Sequence, residues 1–322
     1  MLPNLSHSTS ASPHVPVLAA EVSGLLELRP GDTVVDCTFG AGGHAALLEP
    51  QLQGRGMYIA VDRDAEAVEH HRRFAATATA PTTFMRGDFS LVLRNLAATG
   101  GRAQAVLMDL GMSSMQVDSV ERGFSYATDA PLDMRMDRDA DTTAADILNG
   151  WSERELADVF RSYGEERFSR QIARAVVRRR EQRPFTRSAD LVEVIKQAIP
   201  TPSRFGQGHP ARRVFQALRI ATNDELTSLS EGLDRALDVL TPGGRMAVIS
   251  FHSLEDRIVK RFIRDAAHGC TCPPDFPVCV CGHEPTLRRL TARAVVPSVA
   301  ERGFNPRSAS ARLRAAERTG AA

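Results

Sequence analysis

Short apolar runs alternate with amphipathic segments through the first third of the chain. Four of these runs have the length of a β-strand, and they occupy residues 33–38, 57–62, 82–88 and 105–111. Segments with helical periodicity fill the intervals between them. Strands that alternate with helices predict a parallel sheet covered by helices on both faces.

Residues 119–210 follow a different pattern, because no convincing strand-like run occurs there. Amphipathic helical segments fill this interval, and two of them open with a capping box, one at Thr143 and one at Ser152. These features predict an all-helical insertion into the sheet domain.

The sheet pattern resumes after the insertion. The sequence predicts a long helix at about 213–240, a turn at 241–244, a strand at 245–251 and a helix over 253–267, followed by a loop-rich tail. The predicted domain limits are a flexible N-terminus at 1–13, a sheet domain in two parts at 14–118 and 211–322, and the insertion at 119–210. The second part carries a cysteine-rich loop and a basic tail.

The composition allows a full hydrophobic core and gives no sign of a membrane protein. Of the 322 residues, 43% are apolar and 25% are charged. The apolar runs are too short to cross a bilayer. The first twenty residues lack the basic start and long apolar core of a secretory signal. We therefore expect a cytoplasmic protein without a membrane partner.

Charge is unevenly distributed, although the formal net charge is only +1. Residues 161–187 carry nine Arg against three Glu, and residues 288–318 carry eight Arg against two Glu. Such zones indicate a polyanionic partner that contacts part of the surface, with solvated helix faces as the alternative. Lysine occurs only at positions 196 and 260, and arginine suits bidentate contact with phosphate. We expect the run 178–180 to contribute to that contact.

The five cysteines do not form the pattern of a disulfide framework. Cys37 stands alone, and the other four lie close together in the tail, at positions 270, 272, 279 and 281. Four thiolates suit a structural zinc, but Cys-x-Cys is tighter than the usual spacer. A zinc site and a reduced hairpin are both compatible with this spacing, and no metal is assigned.

The first predicted strand leads into an acid and a glycine cluster, in the sequence VVDCTFGAGGH at residues 34–44. Glycine allows the backbone to approach a ligand closely. The spacing fits a dinucleotide fingerprint poorly, because that fingerprint requires G-x-G-x-x-G. It resembles instead the first motif of class I S-adenosylmethionine-dependent methyltransferases, with Thr38 in place of the usual first glycine.

Polar and aromatic residues follow the other predicted strands at corresponding positions, as the rule for ligand sites in open α/β sheets requires. Asp62 is placed to accept hydrogen bonds from both ribose hydroxyls. Asp88 and Phe89 are placed to meet the edge and the face of an adenine. The full set is Asp62, Asp88, Phe89, Asp109, Ser113 and Gln116.

Several longer motifs, in order along the chain, resemble a single family. They include DCTFGAGGH, DLGMSSMQVD, PLDMRMD, FQALRIATNDEL and PGGRMAVISFHSLEDRIVK. Over about residues 14–318 the sequence is similar to the RsmH (MraW) family of bacterial small-subunit ribosomal RNA cytosine-N4 methyltransferases. The resemblance implies an α/β fold, a Rossmann-like class I S-adenosylmethionine-dependent methyltransferase with an inserted all-helical domain.

The same resemblance implies a reaction and its partners. It implies methylation of the exocyclic N4 amine of a specific cytidine in the decoding centre of 16S ribosomal RNA, with S-adenosyl-L-methionine as cofactor. The expected partner is the small ribosomal subunit or a late assembly intermediate, and the active form is a monomer or a homodimer. Carried over by position, the cofactor contacts are Gly42, Gly43, His44, Asp62, Phe89, Asp109 and Gln116.

The residues favour direct methyl transfer over a covalent intermediate. Attack on a ring carbon needs a cysteine nucleophile, usually after proline, and this chain has no Pro-Cys and only Cys37 within a predicted buried strand. An amine needs positioning and proton acceptors instead. Asp109 and His252 are the candidate catalytic residues, with a helix cap or a core position as the alternative for His252.

Ser113, Asp133 and Arg135 are the candidate substrate contacts. Asp133 and Arg135 either orient the base or brace their own loop. Ser253 with Asp256 predicts a capping box. Two other functions are weighed against rRNA methylation. One is a noncatalytic RNA-binding assembly factor on the same scaffold, and the other is a methyltransferase for a protein or a small molecule.

Overall fold

The computed structural model describes residues 16–201, 209–269, 272, 276–278, 281–282 and 284–321. The predicted flexible segment 1–13 and the cysteines at 270 and 279 lie outside these residues. Within the described part of the chain, no helix is long and apolar enough to span a membrane.

A seven-stranded sheet forms the centre of the molecule. Its strands are β1 (Thr33–Asp36), β2 (Met57–Asp62), β3 (Thr82–Arg86), β4 (Ala103–Asp109), β5 (Leu240–Ser250), β6 (Leu287–Arg289) and β7 (Arg312–Arg318). They lie in the order β3-β2-β1-β4-β5-β7-β6. The first five are parallel, as predicted, whereas β7 is antiparallel to both β5 and β6. This mixed sheet confirms the α/β class and the Rossmann-like fold.

Strands β6 and β7 correct the prediction of a loop-rich tail. β7 pairs with β5 over six positions, from Arg312 opposite Ser250 to Glu317 opposite Arg245. Its buried residues are Leu313 and two alanines, and the remaining positions are charged. A strand so short of large apolar residues does not produce a recognisable apolar run, which is why the hydrophobic pattern missed it.

The described residues include helices on both faces of the sheet and a further group of helices that packs in a separate cluster. In chain order they are α1 (Ala19–Leu26), α2 (Ala45–Leu48), α3 (Ala67–Ala75), α4 (Phe89–Ala98), α5 (Ser114–Asp118), α6 (Ala144–Gly150), α7 (Glu153–Ser162), α8 (Ser169–Gln182), α9 (Ser188–Ala198), α10 (Arg212–Asn223), α11 (Glu225–Val239), α12 (Ser253–Ala266) and α13 (Val299–Phe304). One face of the sheet packs against α1, α2 and α3, and the other packs against α4, α11 and α12.

Helices α6 to α9 form the helical part that the sequence predicted between the two halves of the sheet domain. Both predicted capping boxes are present, since Thr143 Oγ1 accepts from the Asp146 backbone N–H at 3.1 Å and Ser152 Oγ from that of Glu155 at 3.3 Å. A separate apolar cluster joins α6 to α9 with α10. Helix α10 therefore packs with the insertion, and the limits 119–210 stay a prediction.

The predicted long helix at 213–240 is in fact two helices. α10 ends at Asn223, and Asp224 after it has a φ of 47°, which lies in the left-handed region and separates the two helices. No glycine or proline marks this break in the sequence. The predicted turn at 241–244 also differs, because these residues form an irregularity within β5, where its register against β4 shifts between Ala103 and Ala105.

Candidate functional site

A cavity opens where parallel strands end at one edge of the sheet, the usual position of a ligand site in this class of fold. The predicted site residues that line it are Gly43, His44, Asp62, Phe89, Asp109, Ser113 and Gln116. Five other predicted site residues, Gly42, Asp88, Asp133, Arg135 and His252, are outside its lining. The structure therefore brings together residues that follow four different strands.

The glycine turn after β1 depends on left-handed backbone conformations. Gly40 has φ of 55° and Gly42 has φ of 81°, where a side chain is disfavoured. A Cβ at Gly42 would also lie 3.0 Å from the Phe39 ring. Thr38 Oγ1 accepts a hydrogen bond from the Asp109 backbone N–H at 2.6 Å. The residue that replaces the usual first glycine thus ties the end of β1 to the end of β4.

Asp62 holds this turn from the end of β2. Its Oδ2 accepts from the Gly40 backbone N–H and its Oδ1 accepts from that of Asp64, both at 2.8 Å. Burial raises the pKa of Asp62 to about 6. Each carboxylate oxygen has a second acceptor position, so Asp62 can fix the turn and still accept hydrogen bonds from a ligand.

Asp109 and His44 lie side by side in the cavity, with His44 buried, Asp109 23% exposed and Asp109 Oδ2 3.4 Å from His44 Nδ1. His44 Nε2 lies 3.0 Å from the Val17 carbonyl oxygen, which can only accept, so Nε2 carries the hydrogen. Burial lowers the pKa of His44 and favours the neutral ring. Burial and, secondly, the charge of Glu255 raise the pKa of Asp109 to about 7. Near neutral pH both protonation states of Asp109 are therefore populated.

The other carboxylate oxygen of Asp109, Oδ1, is buried and has no hydrogen-bond partner among the described residues. Leaving a buried acceptor unsatisfied costs about 1–3 kcal/mol, and more for a charged group. Native structures rarely retain such a cost without a reason. We therefore expect a ligand to provide a donor at this atom.

Phe89 lines the cavity, but Asp88 beside it is committed elsewhere. Asp88 caps α4 by accepting from the Ser90 backbone N–H at 2.8 Å, and it pairs with Arg63. The Phe89 ring packs against Gly232 of α11, where a Cβ would lie 2.3 Å from the ring. Asp88 is therefore engaged in helix capping and an ion pair, and these roles compete with its predicted contact with an adenine edge. Phe89 lies at the cavity, as predicted.

Gln116 lines the cavity with an amide that already makes two hydrogen bonds within the protein. Its Nε2 donates to Asp64 Oδ2 at 2.9 Å, and its Oε1 accepts from the Ser113 backbone N–H at 3.1 Å. Arg122, which is only 1% exposed, donates to the same Asp64 oxygen at 2.9 Å. Gln116 therefore orients the loop after β4. Asp64 and Arg122, which hold Gln116 in place, were not predicted from the sequence.

Two glutamates that the sequence analysis did not predict also line the cavity, Glu225 at the start of α11 and Glu255 in the first turn of α12. Glu225 forms a two-point pair with Arg219, at 2.8 and 2.9 Å. For Glu255, burial opposes ionisation, but hydrogen bonding and charge from His252 prevail and lower its pKa. These two glutamates form an acidic wall of the cavity, although they lie about 115 and 145 residues after Asp109 in the sequence.

His252 is the N-cap of α12. Its Nδ1 accepts a hydrogen bond from the Glu255 backbone N–H at 3.4 Å. The Glu255 carboxylate in turn accepts one from the His252 backbone N–H at 3.2 Å. The predicted capping box of Ser253 with Asp256 is therefore wrong by one residue. Ser253 Oγ donates to Glu165 instead, at 2.7 Å. This geometry favours the helix-cap alternative for His252, and its catalytic role stays a prediction.

No metal is assigned to the described residues. Glu225, His252 and Glu255 offer ligand atoms within 4.8 Å of one another, but the Arg219 guanidinium already neutralises Glu225. In the tail, Cys272 is a free thiol, and Cys281 belongs to the same segment. Their neighbours at 270 and 279 lie outside the described residues, and the zinc alternative rests on them.

Asp133 and Arg135 bind each other rather than facing the cavity. The Nε and one Nη of Arg135 donate to the two carboxylate oxygens of Asp133, each at 2.8 Å. Arg135 also donates to the Ala140 carbonyl at 2.7 Å. Of the two roles that the sequence left open, this arrangement favours bracing of the loop, and a contact with the substrate stays a prediction.

The arginine run expected to contact phosphate is partly used inside the insertion. Arg179 pairs with Asp190 at 3.4 Å, and Arg180 donates to the Leu148 carbonyl at 2.8 Å. Both side chains are only partly exposed, whereas Arg178 is exposed. The run 178–180 therefore presents less free positive charge than its sequence indicates.

Comparison with known proteins identifies relatives along almost the whole chain. A model of the MraW methylase family matches residues 11–319. Three relatives named ribosomal RNA small subunit methyltransferase H are similar. That of Symbiobacterium thermophilum is 52% identical over 307 residues, 94% of this chain and 95% of the relative. Those of Geobacter sulfurreducens and Heliobacterium modesticaldum are 50% and 48% identical, each over 95% of this chain and 98% of the relative.

Proposed function

Because this chain belongs to the MraW methylase family, we propose that it methylates the exocyclic N4 amine of a specific cytidine in the decoding centre of 16S ribosomal RNA. The protein is an S-adenosylmethionine-dependent rRNA methyltransferase, and its relatives are named as methyltransferases of small-subunit ribosomal RNA. The observation that supports a reaction centre at the cavity is the buried, unsatisfied Oδ1 of Asp109 beside the glycine turn.

The residues around the cavity fit S-adenosylmethionine. We assign the ribose hydroxyls to Asp62, the adenine face to Phe89 and the methionine part to the turn at Gly43 and His44. The left-handed turn at Gly40 and Gly42 supports this fit, because a backbone without side chains lets a ligand approach closely. When bound, the cofactor supplies an electrophilic methyl group on a sulfonium.

Asp109 is the proposed proton acceptor for the amine. The N4 lone pair is delocalised into the pyrimidine ring, so an acceptor that holds the N–H groups makes the nitrogen more nucleophilic. Asp109 Oδ1 is available for this bond. A pKa of about 7 suits a group that accepts a proton at neutral pH. His44 Nδ1 lies 3.4 Å from the other carboxylate oxygen and carries no hydrogen in the neutral ring, so it accepts a hydrogen bond from Asp109 once that carboxyl has taken up the proton.

Cysteine chemistry is not needed for this reaction. Burial and, secondly, the charge of Asp36 raise the pKa of Cys37 well above its ordinary value. The side chain is therefore a thiol at neutral pH, and a thiol is a poor nucleophile. Direct transfer from sulfonium to amine requires only positioning and a proton acceptor.

The proposed partner is the small ribosomal subunit or a late assembly intermediate, and the proposed location is the cytoplasm, where these particles form. The alternative of a noncatalytic assembly factor gains no support, because the glycine turn, Asp62 and Asp109 are all in place at the cavity.

Nucleoside mass spectrometry of 16S rRNA, from cells with and without the protein, tests the proposal. We expect N4-methylcytidine only when the protein is present. Asp109→Asn should lower the methylation rate by on the order of 10²–10⁴-fold, the usual contribution of general acid–base catalysis, with RNA still bound. Cys37→Ser is the control and should retain substantial activity. A methyl group on C5, or an enzyme–RNA adduct through cysteine, would contradict the mechanism.

A further inference from the structure

A second concave surface lies next to the reaction cavity. We call it the C-terminal groove, and it lies between α12 and the segment that runs from Val296 to Arg312. The side chains that matter for its chemistry are those of Phe251, Arg257, Lys260, Val296, Arg302 and Arg312. The basic zone 288–318 provides one side of the groove, and Arg257 and Lys260 of α12, which lie outside that zone, provide the other.

The groove carries free positive charge. Lys260 and Arg302 are exposed, and neither forms an ion pair with a carboxylate of the described residues. Arg312 is 54% exposed, and its Nη1 lies 3.9 Å from Asp256 Oδ2. Asp256 is the only carboxylate in the lining, and Arg314 already holds it at 2.7 Å. The groove therefore keeps a net positive charge and attracts an anion.

The groove and the reaction cavity share a wall. Phe251, which directly follows β5, lines both of them. Its neighbours His252 and Glu255 line the groove and the cavity respectively. A chain that lies in the groove can thus extend past Phe251 towards Asp109 without crossing the molecule.

Large apolar side chains are exposed on the same segment. Val296 is 56% exposed, Val299 is 79% exposed and Phe304 is 64% exposed. Arg302 lies between the latter two on the short helix α13. Positive charge next to an exposed aromatic ring is typical of surfaces that bind single-stranded nucleic acid, because bases stack on the ring and phosphates meet the cations.

We propose that the C-terminal groove binds the single-stranded rRNA segment next to the target cytidine. Lys260, Arg302 and Arg312 contact its phosphates, and Phe304 offers a face for an unstacked base. This inference rests on the proposed function. The target base must leave its stack to enter the cavity, so the nucleotides beside it must pass over the cavity mouth, where the groove begins.

The two lysines of the chain allow a test without any substitution. Lys196 on α9 and Lys260 on α12 are both exposed, and lysine occurs nowhere else. An amine-acylating reagent, followed by peptide mass spectrometry, measures the labelling of each. We expect an oligocytidylate of roughly twelve nucleotides to protect Lys260 and to leave Lys196 labelled as in the free protein. Equal protection of both lysines, or protection of neither, would overturn the proposal.

Charge removal gives a second, independent test. The triple variant Lys260→Gln, Arg302→Gln, Arg312→Gln should weaken oligocytidylate binding by on the order of ten- to a hundredfold at low salt. It should also reduce the salt slope by about 2, since each phosphate contact to a single strand contributes about 0.7. The control variant removes the same charge elsewhere, with Arg73→Gln, Arg94→Gln and Arg154→Gln, all exposed and outside the groove lining. A control that weakens binding as much as the groove variant would contradict the site.

Methylation of small ribosomal subunits that lack the modification separates this inference from the proposed function. If the unaltered protein transfers no methyl group, the proposed function fails. If it transfers methyl groups and the groove variant does so with an unchanged KM for the subunits, only the groove proposal fails. Calorimetry with S-adenosylmethionine should give unchanged cofactor affinity for the groove variant, because none of its three residues lines the reaction cavity.

Discussion

The protonation of Asp109 depends on neighbours that reach it from distant parts of the chain. Burial is the larger cause of its pKa of about 7, and the negative charge of Glu255 on α12 adds to it. Glu255 is itself ionised at neutral pH, because contacts with His252 lower its pKa. Removing that charge should make ionised Asp109 less unfavourable, so the pKa of Asp109 should fall.

Glu255→Gln should therefore move the acid limb of the pH profile of kcat/KM to lower pH, because that limb reports ionisation of the base in the free enzyme. The sign follows from the role of Asp109, which is active when ionised and becomes ionised at lower pH in the variant. Glu231→Gln, at an exposed position on α11, is the matched control and should leave the profile in place. A profile that shifts to higher pH would contradict the coupling.

Residues close to a strand end were predictable from the sequence, and residues brought in by the tertiary fold were not. Asp62 and Asp109 are the last residues of their strands and Phe89 lies shortly after β3, so the sheet rule alone brings them together. Glu255 reaches the cavity through helix packing, and Arg122 reaches Asp64 behind the cavity through the 3₁₀ turn Val120–Arg122. No local pattern marks either of them.

At the level of elements, contact between α4 and α11 sets the position of the Phe89 ring. Gly232 allows this contact, since a Cβ there would lie 2.3 Å from the ring. Gly232→Ala should destabilise the protein by about 1–3 kcal/mol, the usual cost of overpacking. It should also weaken cofactor binding, because the displaced ring lines the cavity. Chemical unfolding and calorimetry measure the two effects.

Gly24→Ala is the matched control for that substitution. Gly24 is also within a helix, α1, and a Cβ there meets nothing within 4 Å. The alanine should raise stability by about 0.5–1 kcal/mol, because glycine is the less favourable residue in a helix interior, and cofactor affinity should not change. If both alanine variants behave alike, the helix contact does not control the ring.

The hydrophobic pattern predicted β1 to β4 and most helices because these elements are buried in ways that leave a clear periodicity. It missed β7, where alanine and charged residues alternate irregularly around Leu313. It also missed the break at Asp224, where an ordinary residue adopts φ of 47°. In both cases tertiary packing decides the structure, and local propensity alone is a weak guide.

For the molecule as a whole, a buried ion pair joins the chain at the start of the insertion to the sheet. Arg122 donates to Asp64 at 2.9 Å, with both side chains 1% exposed, and also to the Arg135 and Met136 carbonyls at 2.9 and 3.0 Å. Arg122→Met should cost about 3–5 kcal/mol, because it leaves the Asp64 charge buried without its partner.

A double variant distinguishes this explanation from simple loss of packing. Adding Asp64→Asn to Arg122→Met removes the uncompensated charge, so the double variant should unfold at higher denaturant concentration than the single one. Equal midpoints would show that the charge is not the cause. Cofactor affinity should fall in the single variant as well, because Asp64 also holds Gln116.

The position of β7 has a consequence for how the protein is made. β7 follows every other strand along the chain, yet it lies between β5 and β6 in the sheet. A ribosome that delivers residues in order therefore releases β5 with one edge unpaired, and β6 has no neighbour until β7 emerges. A hydrogen bond between the two ends of the chain also forms late, because Glu301 accepts from the Leu18 backbone N–H at 2.8 Å across 283 residues. The nascent chain thus exposes an open strand edge, the feature that invites aggregation, until its final strand has been translated.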